Sequence, residues 1–499
     1  MSNCKNIRPS SYAITMMVSL AMLSGCAVGP DFEIPNHEIA QTLTPRTDYG
    51  LNPSQNSQDV GWQWWAMFND PILTSLESKA QSGNLDLQMA GSRIAQSRAA
   101  LGITAADQQI RVASNASYAR EGNSENGKMV GLGAPSAATN YWTAGFDASW
   151  ELDLWGRAQR ATEGANARLE ASMYQREAMR VSLSAEVAKT YLLLRNAQAQ
   201  LAITLEKQSI AKRALALVLS RETNGVGTHF DTITAQTKLA TLEATLPELT
   251  MGSNKLMNAL ALLLGEQPRA LDELLATSDY RMQLPSGVPL EWSSDLAQRR
   301  PDILEAQARL HASVAAIGVA EADFYPRITL SGSLGVESFD SSDLLGWDSR
   351  SFSLGPKVYL PIFSGGKLTQ QLELTKEQQK SSALNYRQTV LGAWHEVDNS
   401  IDAWRAQQSQ HQRLSIAHHF IEQALSMVER NYQQGSSDYL SVLQQQSNVF
   451  NSQIQLNNST TQAEMAVVTL YKALGGGWNN SLMQANDGAI SVAALGEAK

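Results

Sequence analysis

Between Trp142 and Asp153 apolar and polar residues alternate without a break. Trp142, Ala144, Phe146, Ala148, Trp150 and Leu152 fall on one parity, and Thr143, Gly145, Asp147, Ser149, Glu151 and Asp153 on the other. Successive side chains of a strand point to opposite faces, so the pattern predicts a β-strand with one apolar face and one wet, partly acidic face. The alternation returns twice. Ile328, Leu330, Gly332, Leu334 and Val336 alternate with Thr329, Ser331, Ser333, Gly335 and Glu337, and Phe352, Leu354, Pro356, Val358 and Leu360 alternate with Ser353, Gly355, Lys357 and Tyr359. Strands are therefore expected over about 141–153, 327–338 and 351–361, with a weakly alternating partner over about 111–121.

Elsewhere the period is helical. Segments 84–110 and 301–325 read as helices, the second opened by Pro301 with Asp302 and Glu305 in its first turn. Two long proline-free stretches, 154–222 and 364–432, predict helices that at ~1.5 Å per residue would each run about 100 Å. Turns around Gly225 to Thr228 and Gly435 to Ser437 reverse them into return helices over 229–265 and 437–473. Val442, Val449, Leu456, Ala463 and Leu470 fall seven apart, and Trp394, Val397, Ile401 and Trp404 follow steps of three and four, which is coiled-coil spacing. Pro247 is expected to kink the first return helix.

The chain says the same thing twice. "EVAKTYLLLR" from Glu186 answers "EVDNSIDAWR" from Glu396, Gly225 to Gln236 answers Gly435 to Gln446, and Gly265 answers Gly475, all at an offset of 210; Arg93, Gly102, Ala106 and Asp107 answer Arg309, Gly318, Ala322 and Asp323 at 216. The organisation that follows is a segment 1–25, an N-terminal part 26–83, a first repeat 84–265, a linker 266–300, a second repeat 301–473 and a tail 474–499.

Composition narrows where such a chain works. Lys5 and Arg8 precede an uncharged run and then "LSGCAVGP", the order of a secretory signal. A cysteine directly after Leu23, Ser24 and Gly25 resembles the lipobox of bacterial lipoproteins, which implies that Cys26 is acylated, palmitate included, and becomes the first residue of the mature chain. Cys4 falls in the removed part, so no disulfide framework is available. Without the signal, 37 Lys and Arg against 48 Asp and Glu leave a net charge of −11, which argues against a nucleic-acid partner.

No apolar run after Cys26 is long enough for a membrane helix, so a membrane would have to be crossed by strands. Alternating strands of this length suit a soluble sandwich or an outer-membrane barrel. Aromatic residues at the strand ends, Tyr141, Trp142 and Trp150 in one pair and Phe324, Tyr325, Phe339 and Trp347 in the other, favour the barrel, as does the export signal. Trp142, Phe146, Trp150, Ile328, Leu330, Phe352 and Leu354 would then face lipid, and Asp147, Glu151 and Asp153 a wet lumen. Unpaired backbone in hydrocarbon costs several kcal/mol per group, so the barrel must close, and four strands per chain fall short of the roughly eight that known barrels need. Copies must share it. Two chains would give eight strands and three would give twelve.

"WELDLWGR" (150–157), "RRPDILEAQARLHASVAAIGVAEADFYPRITLSGS" (299–333), "LPIFSGGKL" (360–368) and "LYKALGGGW" (470–478) resemble the outer membrane factors of the TolC and OprM type, over nearly the whole mature chain and nearest the lipid-anchored drug efflux channels. The resemblance implies an α+β membrane protein: a homotrimer whose twelve strands form an outer-membrane β-barrel, continued by a twelve-helix periplasmic α-barrel. A mixed equatorial domain would come from the part after Cys26, the linker and the tail. It implies a passive exit duct for drugs or small toxic compounds in a tripartite pump, beside a periplasmic adaptor and a proton-driven inner-membrane pump; the exit duct of a type I protein secretion system and a lipid-anchored coiled-coil scaffold without a pore are the alternatives. Laid over "NYQQGSSDYLSVLQQQS" (431–447), the family's periplasmic gate falls on Tyr432 and Leu440, and its aspartate ring on Gln444, a departure that removes the ring's charge. Gly225, Thr228, Asp231, Gly435, Ser437 and Asp438 mark the tips where the adaptor would dock, with Asp231 and Asp438 read as corresponding positions and as candidate helix caps.

Nothing in the sequence assembles a catalytic constellation, and no cofactor is expected. His411, His418 and His419 share a helix, but His411 and His418 stand ~10 Å apart along it, too far to share a metal. The run Gly475 to Gly477 follows a helix and reads as its stop rather than a phosphate cradle.

Overall fold

A computed structural model describes residues 27–34, 63–276 and 299–478. The signal, Cys26, most of the linker and most of the tail lie outside the described residues. Contacts divide the chain into two compact units: Met1–Pro35 with Arg93–Ser172 and Glu305–Tyr386, and Asn36–Ser92 with Met173–Leu304 and Arg387–Lys499.

The elements repeat. Helices α1 (Pro71–Gly83) and α2 (Leu85–Ala106) precede β1 (Arg111–Glu121), β2 (Thr139–Leu152), α3 (Arg157–Thr223) and α4 (His229–Leu263); α5 (Pro301–Ala322), β3 (Arg327–Ser338), β4 (Arg350–Tyr359), α6 (Lys367–Gln433) and α7 (Tyr439–Ala473) follow. Helix α5 is α2 displaced by 216 residues, while α6 and α7 are α3 and α4 displaced by 210. The two offsets differ by six, and the difference sits in the loop between paired strands, longer in the first copy.

Where the structure departs from the pattern, local geometry explains it. Both long helices start three residues later than expected because Gly156 (φ 75°) and the pair Gly365 (φ 61°) and Gly366 (φ 83°) turn the chain through the left-handed region first. The helix expected over 84–110 ends at Ala106, and the one expected over 301–325 at Ala322. Helix α4 carries Pro247 in its interior, within a continuous run from His229 to Leu263. Helix α1 was not foreseen, although Asp70 followed by Pro71 is a start signal: the Asp70 carboxylate caps it, accepting from the N–H groups of Ile72 (2.8 Å) and Leu73 (3.1 Å).

In the first unit β1-β2-β3-β4 form one antiparallel sheet in that order. Beside it α3 and α5 approach closely through small residues; a Cβ on Gly164 would stand 3.5 Å from that of Ala315. Residues 27–34 lie along them. Arg160 donates to Asp31 (2.6 Å) and Glu163 (2.9 Å), His311 meets Glu163 at 2.8 Å, and Phe32 stacks on His311.

In the second unit Trp64, Trp65, Phe68, Leu73 and Leu76 are buried with Leu183, Val187 and Tyr191 of α3, Leu260 of α4 and Val467, Val468 and Tyr471 of α7. The Tyr191 hydroxyl donates to Asp70 (2.7 Å), tying the cap of α1 to α3. The stripe Trp394, Val397, Ile401 and Trp404 packs on Leu470, Ala473 and Leu474, so this part of the α6 stripe meets the end of the α7 stripe.

Candidate functional site

The sheet has two chemically opposite faces, and the pairing register assigns every residue to one of them. Trp142 lies opposite Tyr118, Phe146 opposite Leu334, Trp150 opposite Leu330, and Leu334 opposite Phe352. Directly paired residues share a face, so these side chains form one continuous apolar surface with Ile328, Leu354 and Val358. Much of it is uncovered among the described residues: Phe352 and Leu354 are 78% and 77% exposed, and Phe146 60%. Trp142 and Ile328 are half-buried, Trp142 because the Tyr118 ring lies 4.2 Å away.

The other face is polar. Ser117 and Thr143 hydroxyls meet at 2.7 Å, Asn115 donates to Asp147, and the Tyr141 hydroxyl donates to Glu337 (2.6 Å). Gly145 and Gly335 face each other across β2 and β3 so tightly that a Cβ on Gly335 would lie 2.7 Å from the Ala144 carbonyl oxygen. Aromatic residues close both ends of the sheet. Tyr141 packs on Phe339 at one end; at the other Trp155 stacks on Tyr325 and donates to the Pro326 carbonyl (2.8 Å). Among the described residues strands β1 and β4 each pair on one side only, so the sheet ends in two open edges.

The hairpin tips of the second unit are built on glycine stops and side-chain caps. Gly225 (φ 77°) and Gly435 (φ 76°) end α3 and α6. Thr228 caps α4 through a capping box with Asp231, and Asp438 caps α7 by accepting from the Ser441 N–H (2.8 Å). This corrects the expected correspondence: the repeat equates Thr228 with Asp438, so Asp231 sits three residues inside its helix rather than at the matching cap. The caps hold both carboxylates below their usual range, through the hydroxyl and N–H of Thr228 for Asp231 and of Ser441 for Asp438. Ser437 is half-buried beside the cap.

Tyr432 is 44% exposed with its ring 5.2 Å from that of Tyr439, Leu440 is half-buried, and Gln444 is exposed, reaching Asn448 at 3.4 Å. Farther along, polar side chains link the two hairpins: Gln200 donates to Asn458 (2.6 Å), the Lys207 ammonium to Asn451 (2.7 Å), and Asn457 to Asn196. His411 and His418 meet Ser459 (3.2 Å) and Ser452 (2.7 Å) on α7. Among the described residues there is no cluster of side chains that could hold a metal, and no helix long and apolar enough to cross a membrane.

The sequence profile of a family described as outer membrane efflux protein matches residues 76–266 and 292–476, the two repeats in turn. The chain belongs to the outer membrane efflux protein family. As an efflux protein of the outer membrane it is 30% identical over 469 residues to the solvent efflux pump outer membrane protein SrpC of Pseudomonas putida, covering 93% of this chain and 98% of that one. It is 29% identical over 485 residues to the cation efflux system protein CusC of Escherichia coli (strain K12), covering 96% and 100%. The solved outer-membrane channel OprN superposes with a TM-score of 0.80 at 30% identity, over 91% of this chain and 100% of that one. The Campylobacter jejuni CmeC outer membrane channel shares the fold, with a TM-score of 0.82 at 23% identity over 93% and 98%.

In this efflux protein the inter-hairpin amides were not foreseen from the sequence. Asn196, Gln200, Asn451, Asn457 and Asn458 carry no motif, and only the packing of α3 beside α7 brings them together. Cys26 lies outside the described residues.

Proposed function

We propose that three copies close their four-stranded sheets into a twelve-stranded barrel in the outer membrane, anchored by acylated Cys26, and that their helices continue it as a twelve-helix duct through the periplasm. The observation that carries this reading is the open sheet with one apolar face. Its apolar side suits hydrocarbon, but two unpaired edges cannot remain there, because each unsatisfied backbone group costs several kcal/mol in lipid. Closure between identical chains satisfies both. The polar face, with Asp147, Glu151 and Glu337, then lines the water path.

The duct is the passive exit of a tripartite pump. A proton-driven inner-membrane pump supplies energy, and a periplasmic adaptor meets the tips around Gly225, Thr228, Gly435 and Ser437. Residues 63–83 and 266–276 belong to the equatorial belt; most of the remaining linker and of the tail lies outside the described residues. Cargo is small toxic compounds; one relative bears a cation efflux name and another a solvent efflux name, in keeping with selectivity that resides in the pump. Tyr432 and Leu440 constrict the periplasmic end. Gln444 offers hydrogen bonds there without a field, so the constriction does not concentrate cations as a carboxylate ring would.

Reconstitution of the full-length protein in planar bilayers tests the reading. Discrete conductance steps that grow in the Tyr432→Ala variant are expected. Membranes that stay silent with both proteins would refute it.

A further inference from the structure

In the first unit, where β3 begins and β4 ends, a half-enclosed cavity of about 690 Å³ opens between α3, α5 and α6. Cations stand in its wall. Arg160, Arg168, Arg327 and Lys367 line it, with Asp323 as the one acid among its lining residues.

Two of these charges are balanced from within and two are not. Asp323 already accepts from Arg327 and from Arg157 (2.9 Å), and Arg160 is engaged by Asp31 and Glu163. Arg168 and Lys367 make no ion pair among the described residues. Lys367 is the first residue of α6, where a positive charge opposes the helix dipole, and no acid stands in that first turn to offset it. Helix stability therefore gives no reason for a cation there. Between the cations stand Gln371 and Gln378, whose amides suit the oxygen atoms of a polyatomic anion.

We propose that this cavity binds a phosphate group, with the Arg168 guanidinium as a planar two-pronged donor and Lys367 as a point charge on the same anion. Two sources share that chemistry: the phosphodiester of a phospholipid headgroup, and a free phosphate or phosphate ester in the duct. The lipid source rests on the outer-membrane reading above, since the strand ends mark the level at which the apolar sheet face stops and headgroups begin.

The test uses the full-length protein in detergent, with inorganic phosphate measured by equilibrium dialysis and phosphatidylglycerol by native mass spectrometry, which also reads the oligomer. Saturable binding of one phosphate-bearing ligand per chain is expected, weakened at least tenfold in Arg168→Gln/Lys367→Gln and kept in Lys367→Arg, which retains the point charge. Retention of phosphatidylglycerol without phosphate assigns the site to headgroups, and binding of phosphate without the lipid assigns it to a solute. Binding of neither, or equal binding by wild type and the glutamine variant, overturns the proposal. A monomeric mass with the site occupied would instead count against the shared barrel and leave the site standing.

Discussion

Arg111 and Arg327 open the first strand of each repeat in the same way, each paired back to an aspartate four residues earlier, Asp107 and Asp323. The equivalence runs on through both strand pairs. Ser149 stands opposite Arg111 as Tyr359 stands opposite Arg327, which is the 210-residue offset of the long helices carried into the sheet. The sheet is thus two copies of one hairpin, joined where β2 meets β3.

That join supplies the register for the proposed closure between chains. Asp147 faces Ser333 inside the chain; shifted by the two offsets, this pair becomes Lys357 and Ser117 of a neighbouring copy. A Lys357→Cys/Ser117→Cys variant should therefore form intermolecular disulfides on mild oxidation, visible as a ladder on non-reducing gels. Lys357→Cys/Ala116→Cys should cross-link at least tenfold less, because a slip of one residue moves a side chain to the opposite face.

Charge on the apolar face should disturb membrane assembly while charge on the polar face should not. Phe146→Arg or Leu354→Arg is expected to cost about 2–4 kcal/mol near the bilayer midplane. Ser331→Arg, on the polar parity, should assemble like wild type. The fraction of protein recovered as heat-modifiable oligomer from outer-membrane preparations measures both.

At the proposed constriction, Gln444→Asp should restore what the sequence lacks. Three carboxylates around one axis attract cations and repel one another, so single-channel current in this variant should be blocked by divalent or trivalent cations that leave wild type unaffected. Equal block of both proteins would remove Gln444 from the constriction.

Glu464 on α7 is 4% exposed, and burial pushes its carboxyl up to about 8. The folded chain therefore holds this proton more tightly than the unfolded chain, whose carboxyl titrates near 4.5. Stability from this group is full below about 4.5, falls as pH rises, and is lost above about 8, on the order of a few kcal/mol in all. Thermal melts of Glu464→Gln should be flatter across that window and higher than wild type at its alkaline end.

Much of this molecule can be read from period alone. Strands β2 and β3 carry strict alternation because one face is apolar and the other wet, and α6 carries apolar steps of three and four where Val397 and Ile401 pack on Leu470 of α7. Strand β1 alternates weakly, since Ser114 and Ala116 stand on its apolar parity, and its ladder to β2 holds it in the sheet. The placement of Arg160 against Asp31 was invisible for another reason: the partners are far apart in sequence, and a pairing of that kind leaves no periodic trace.

Native mass spectrometry of the full-length protein in mild detergent tests most directly whether, as proposed, one chain brings four strands of a barrel that only identical neighbours can close. A mass of three chains is the expected result. A monodisperse monomer that keeps its sheet would contradict it.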